Sequence, residues 1–85
     1  LQELSKKVIV HIDETQTIME LNQIIQKYEA EILIKKNVNG SIIEVNLKSF
    51  LGLINLRLHN GDELYVYCSG PEASEAMKAI EQFLN

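Results

Sequence analysis

Few side chains in this 85-residue sequence could hold or pass on a reactive group. They are His11, His59, Cys68, Ser49 and a group of carboxylates at Asp13, Glu14 and Glu20. An exposed imidazole can accept a phosphoryl group or ligate a metal, but His11, His59 and Cys68 share no metal-ligand spacing. No nucleophile–base pair or carboxylate pair is spaced for chemistry, so no catalytic residue is expected and no independent enzyme activity. No glycine-rich loop or convergent polar cluster marks a small-molecule pocket, so no cofactor is expected either. His11 reads either as an acceptor of a transferred group or as an outward-facing strand residue, because Val8, Val10 and Ile12 claim the buried face. His59 reads as a loop residue before Asn60-Gly61. Cys68 alternates with Leu64 and Val66, the pattern of a small buried apolar residue. A single cysteine forms no internal disulfide, which fits a reducing, cytoplasmic setting.

The frame around these residues reads as one domain spanning 1–85, since a second core would need a longer chain. Apolar residues make up 46% and charged residues 24%, ordinary globular usage that excludes a disordered chain. A net charge of -4 argues against a nucleic-acid or anionic-membrane partner, which would call for concentrated positive charge. No apolar run is long enough for a membrane span, and Leu1 to Lys7 lacks the apolar stretch of a signal peptide.

Val8, Val10 and Ile12 alternate with Lys7, Ile9 and His11, which predicts a strand. Asp13 and Thr15 offer capping oxygens to a helix over about 16–28, carried by Ile18, Met19, Leu21, Ile25 and Tyr28. Two β-branched runs, Glu31 to Asn37 and Ser41 to Leu47, are joined through Asn39-Gly40, a pair suited to a type I′ hairpin turn. Their inward positions are expected at Ile32, Ile34, Ile43, Val45 and Leu47. Ser49 then caps a short helix ending near Leu56, and Asn60-Gly61-Asp62 turns into a last strand, Glu63 to Cys68. Gly70 stops that strand, and Pro71 opens a final helix with its stripe at Ala73, Ala76, Met77, Ile80, Phe83 and Leu84. The order β-α-β-β-α-β-α predicts an α+β fold, a four-stranded antiparallel sheet with three helices on one face. A ferredoxin-like split βαβ shares much of that order, and the short element between the third and fourth strands narrows the choice.

The run Asn46-Leu47-Lys48-Ser49-Phe50-Leu51-Gly52-Leu53-Ile54-Asn55-Leu56, followed by Asn60-Gly61-Asp62-Glu63-Leu64, resembles the second half of HPr. HPr is the histidine-containing phosphocarrier of the bacterial sugar phosphotransferase system. Lys27-Tyr28-Glu29-Ala30-Glu31-Ile32 and the helix after Gly70 are also HPr-like, so the resemblance covers nearly the whole chain. It implies an open-faced β-sandwich. It also implies that a histidine in a Gly-(hydrophobic)-His-Ala-Arg-Pro segment should enter the first helix. Here that stretch is Asp13-Glu14-Thr15-Gln16-Thr17-Ile18-Met19-Glu20, without His, Arg or Pro. The acceptor position falls among Glu14, Thr15, Gln16, Thr17 and Ile18, and none of these supports phosphoimidazole chemistry. Histidine phosphotransfer is therefore expected to be lost, in a pattern similar to catabolite-repression HPr.

The same resemblance makes Ser49 a phosphorylation candidate, because the Leu-Lys-Ser serine of Gram-positive HPr is a regulatory kinase target. The plainer reading of Ser49 is a helix cap. Phe50, Leu51 and Ile54 share one face of the short helix, where HPr docks its partners; the alternative is that some of them are core. By alternation, Ile9, Leu33, Ile42, Tyr65 and Tyr67 share the sheet face away from the helices, either a partner or homodimer surface or a solvated face interrupted by His11, Lys35 and Glu44. The expected function is regulation or adaptation by binding phosphotransferase-system or transcription-regulator proteins. The alternatives are a phosphocarrier with a non-standard acceptor and a small-molecule-binding βαββαβ module.

Overall fold

The computed structural model describes residues 2–13 and 15–85; Glu14 and the side chain of Phe50, both named above, lie outside the described residues. The chain runs β1 (Gln2–Ile9), α1 (Ile18–Ile25), β2 (Glu31–Val38), β3 (Ser41–Asn46), α2 (Phe50–Leu56), β4 (Glu63–Gly70) and α3 (Ala73–Leu84). The strands form one antiparallel sheet in the order β1-β4-β2-β3, which is the α+β architecture that the element order predicts.

Alternation in β2 and β4 decides which face meets the helices. Ile32 lies opposite Cys68 and Ile34 opposite Val66, all buried. Onto this layer α1 places Leu21 and Ile25, α2 places Leu53 and Leu56, and α3 places Ala76, Met77, Ile80 and Leu84. Each fully buried Leu or Ile side chain contributes roughly 1.5–3 kcal/mol. Exposed ion pairs such as Lys7–Glu63 are largely screened by solvent and add little, so the apolar layer holds helices to sheet. The hairpin turns as its residues require: Asn39 and Gly40 have φ of 52° and 85°.

Several boundaries differ from the periodicity. β1 runs from Gln2, opposite Gly70, to Ile9, opposite Glu63, so His11 lies beyond the strand rather than on its outer face. Pairing with β4 holds this stretch extended without an apolar pattern, and Lys6 on the helix side reaches Glu81 of α3 at 2.7 Å. α1 is shorter than expected; its cap is Thr17, not Asp13 or Thr15, and Tyr28 lies in a tightened turn after it. Met19 is exposed, one position off the Ile18–Leu21–Ile25 stripe. Ile43 does lie on the helix-facing side, opposite Lys36, but is 39% exposed because β3 is an edge strand. β4 continues to Gly70, and Pro71 lies in the turn before α3 rather than in its first turn.

Candidate functional site

The approach to α1 is built almost entirely from hydrogen bonds. Val10 exchanges bonds with the turn before β4: its N–H donates to Asp62 O (2.9 Å) and its carbonyl accepts from Gly61 N (2.8 Å). Ile12 does the same with the Asn60 amide, donating to Oδ1 (2.7 Å) and accepting from Nδ2 (3.0 Å). Asp13 then closes a turn, its Oδ1 accepting from both the amide and the hydroxyl of Thr15. Gln16 accepts from Asp13 N through Oε1 (2.8 Å) and donates through Nε2 to Phe83 O (2.6 Å). Thr17 caps α1 by accepting from Glu20 N at 3.2 Å. Thr15, Gln16 and Thr17 are thus committed to shaping this entrance, while Ile18 packs against the core. The hydroxyl and amide of Thr15 hold the Asp13 carboxyl below its ordinary pKa, so this entrance presents an anion. His11 is exposed and shares an open cleft with Asp13, Gln16, Asn60 and Asn85.

A second polar centre was not anticipated from the sequence. Lys36 follows Ile32 and Ile34 on the helix-facing side of β2 and is only 7% exposed. Its Nζ donates to Leu56 O (3.3 Å) and Arg57 O (2.7 Å) and lies 2.8 Å from Asp62 Oδ2. The inward position after Ile34 is the local signal for it, although a lysine is almost never fully buried unless paired. His59 is exposed, its backbone N–H bonded to Asp62 and its Nδ1 3.7 Å from the same carboxylate. Burial raises the Asp62 pKa, but the Lys36 ammonium and the His59 N–H outweigh it and leave the value lowered. A lowered carboxyl contributes stability that is complete above the unfolded value of about 3.9 and disappears as pH falls through the folded value. Asp62→Asn should therefore be less stable than the parent at pH 7, with the gap closing in urea titrations below about pH 4. A gap that stays constant into acid would show that the charge contributes nothing. Cys68 is buried, and burial pushes its thiol up to about 11, so it remains a protonated packing group at neutral pH.

α2 presents two faces. Leu53 and Leu56 are buried, whereas Leu51 is 71% and Ile54 47% exposed. Ser49 is exposed and caps the helix, its Oγ accepting from Gly52 N at 3.4 Å. Ser49→Ala should cost about 1 kcal/mol, read as a lower thermal midpoint, whereas Ser49→Asp keeps an N-cap acceptor and should be near neutral. Equal losses in the two variants would show that the cap contributes little.

Ile9, Leu33, Ile42, Tyr65 and Tyr67 do share the outer sheet face, but they do not form one patch. Ile9 and Ile42 lie on opposite edge strands. Between them, Lys35 stands 5.2 Å over the Tyr67 ring, and the Lys7–Glu63 and Lys35–Glu44 pairs interrupt the surface.

Comparison with known proteins agrees with this architecture. Residues 14–85 match the family model described as the PTS HPr component phosphorylation site. Phosphocarrier protein NPr of Klebsiella oxytoca is 30% identical over 83 residues, covering 98% of this chain and 86% of that protein. The crystal structure of phosphocarrier protein HPr from Bacillus anthracis str. Ames superposes with a TM-score of 0.77 at 26% identity, covering 98% of both chains. HPr-C-His from Thermoanaerobacter tengcongensis shares the fold, with a TM-score of 0.71 at 20% identity over 99% of this chain and 91% of that one. With this order of elements, this sheet and these matches along nearly its full length, the chain belongs to the HPr family.

Proposed function

We propose that this chain works in the cytoplasm as a binding regulator or adaptor of the phosphotransferase system and does not relay phosphoryl groups by HPr's histidine chemistry. The supporting observation is the entrance to α1, where Asp13, Thr15, Gln16 and Thr17 spend their side chains on the turn, the Phe83 tether and the cap. None of them is an imidazole or a guanidinium, and the Asp13 carboxylate repels an incoming anionic phosphoryl donor. Leu51 and Ile54, with Phe50 beside them in sequence, form the proposed docking face for a phosphotransferase-system or transcription-regulator protein. Ser49 at the start of that helix is the proposed regulatory phosphorylation site, where about -1.5 to -2 of charge falls at a helix N-terminus.

One observation favours a second reading. The exposed His11 shares its cleft with Gln16, so an acceptor displaced from the family position has access to solvent near the α1 entrance. Incubation with radiolabelled phosphoenolpyruvate and the general phosphotransferase enzyme separates the two. The regulator reading expects no acid-labile label. Label that disappears in His11→Ala would establish a working phosphocarrier instead.

A further inference from the structure

We infer that Lys36 is a positioning residue that locks the proposed docking helix α2 and the approach to α1 into one unit through the turn preceding β4. α2 has seven residues, too few for a helix to persist without tertiary support, and its last carbonyls have no partner within the helix. It ends at Arg57 in the left-handed region, φ 49°, a conformation that a non-glycine residue needs help to keep. That help comes from Lys36. Its ammonium has three hydrogens, and Leu56 O, Arg57 O and Asp62 Oδ2 supply three acceptors at 3.3, 2.7 and 2.8 Å. The positive charge also faces the negative end of the helix dipole. Asp62 passes the restraint on. Its carboxylate takes the His59 N–H at 2.9 Å, and its own N–H donates to His59 O at 3.1 Å, closing the turn. From this turn Asn60, Gly61 and Asp62 make the four bonds to Val10 and Ile12 described above. β2, the end of α2, the turn and the approach to α1 are therefore joined by consecutive contacts whose centre is one buried ammonium.

A contiguous network shows where coupling could run, and measurement decides whether it does. The test is amide hydrogen exchange followed by NMR on the full chain without any partner, comparing the parent with Lys36→Met and Asp62→Asn. In Lys36→Met, amides of α2 including Leu53, together with Val10 and Ile12, should exchange at least about tenfold faster relative to the sheet amides of Ile34 and Val66. An equal rise at all sites would mean general destabilisation and would overturn the proposal, as would unchanged rates in α2 or at residues 10–12. Should Lys36→Met fail to fold, Asp62→Asn carries the same test, because it keeps an acceptor for His59 N but removes the charge facing Lys36. The consequence for recognition rests on the docking role of α2 proposed above. Because the exchange readout involves no partner, failure of that docking reading leaves this measurement unaffected.

Discussion

Replacing Gly70 with alanine is expected to cost about 2–4 kcal/mol, one of the larger losses available without touching an apolar core residue. Two independent causes act there. The backbone has φ of 124°, a region that L residues rarely occupy. A Cβ at this position would also come within 3.2 Å of Ala30 Cα and 3.2 Å of the Glu29 carbonyl oxygen, both backbone atoms that cannot rotate aside. The neighbourhood is held from both directions, since Glu72 N donates to Glu29 O (3.0 Å) and Glu29 N donates to the Glu72 carboxylate (2.8 Å). Pushing Gly70 away from the turn before β2 would break those bonds and disturb the start of α3. On a chain of this size the thermal midpoint should fall by the order of 10–30 °C. Gly40→Ala is the control. Its φ is also positive, at 85°, but among the described residues no atom beyond its chain neighbours lies within 4 Å of the added Cβ, so only backbone strain of about 1–2 kcal/mol applies. Equal costs at the two glycines would show that close approach to Ala30 contributes nothing.

The features legible in the sequence are those fixed by near neighbours in the chain. Alternation placed Ile32, Ile34, Leu64, Val66 and Cys68 inward, because a sheet with one covered face maps apolar periodicity onto burial directly. Asn39-Gly40 announced the hairpin because residue type there dictates the sign of φ. The block around Ser49 pointed to the HPr family, and its capping role followed from position alone. The misread features depend on distant partners. β1 is extended because β4 pairs with it, a relation its own residues do not encode. Asp13 and Thr17 both carry oxygens suited to capping. Thr17 caps α1 while the Asp13 carboxylate is taken up by Thr15, and Gln16 between them is tethered to Phe83, 67 positions away. Lys36 is not legible locally for the same reason: a lysine is buried only when acceptors converge on it, and these come from the end of α2 and from Asp62.

Two leucines, two positions apart on α2, should respond to substitution in opposite ways. Leu53 is fully buried in the core. Leu53→Ala leaves a cavity beneath a helix of one to two turns that cannot collapse far, because Gly52 already lies close to β3: a Cβ there would be 3.0 Å from Asn46 O. The expected loss is about 2–5 kcal/mol, read as a lower urea midpoint with unchanged slope. Leu51 is 71% exposed, and a surface substitution of this kind stays within about 0.5 kcal/mol. Leu51→Asp also places negative charge in the first turn of α2, which the helix dipole favours. Its effect should fall on recognition instead. A carboxylate in the middle of the proposed docking face would be desolvated on binding, and capture of phosphotransferase-system proteins from the host should fall at least about tenfold relative to the parent. Intact stability with lost capture in Leu51→Asp would locate recognition on the exposed face of α2. Undiminished capture by a folded Leu51→Asp would move the docking surface elsewhere, and a Leu53→Ala chain as stable as the parent would mean that α2 is anchored by something other than its buried leucine.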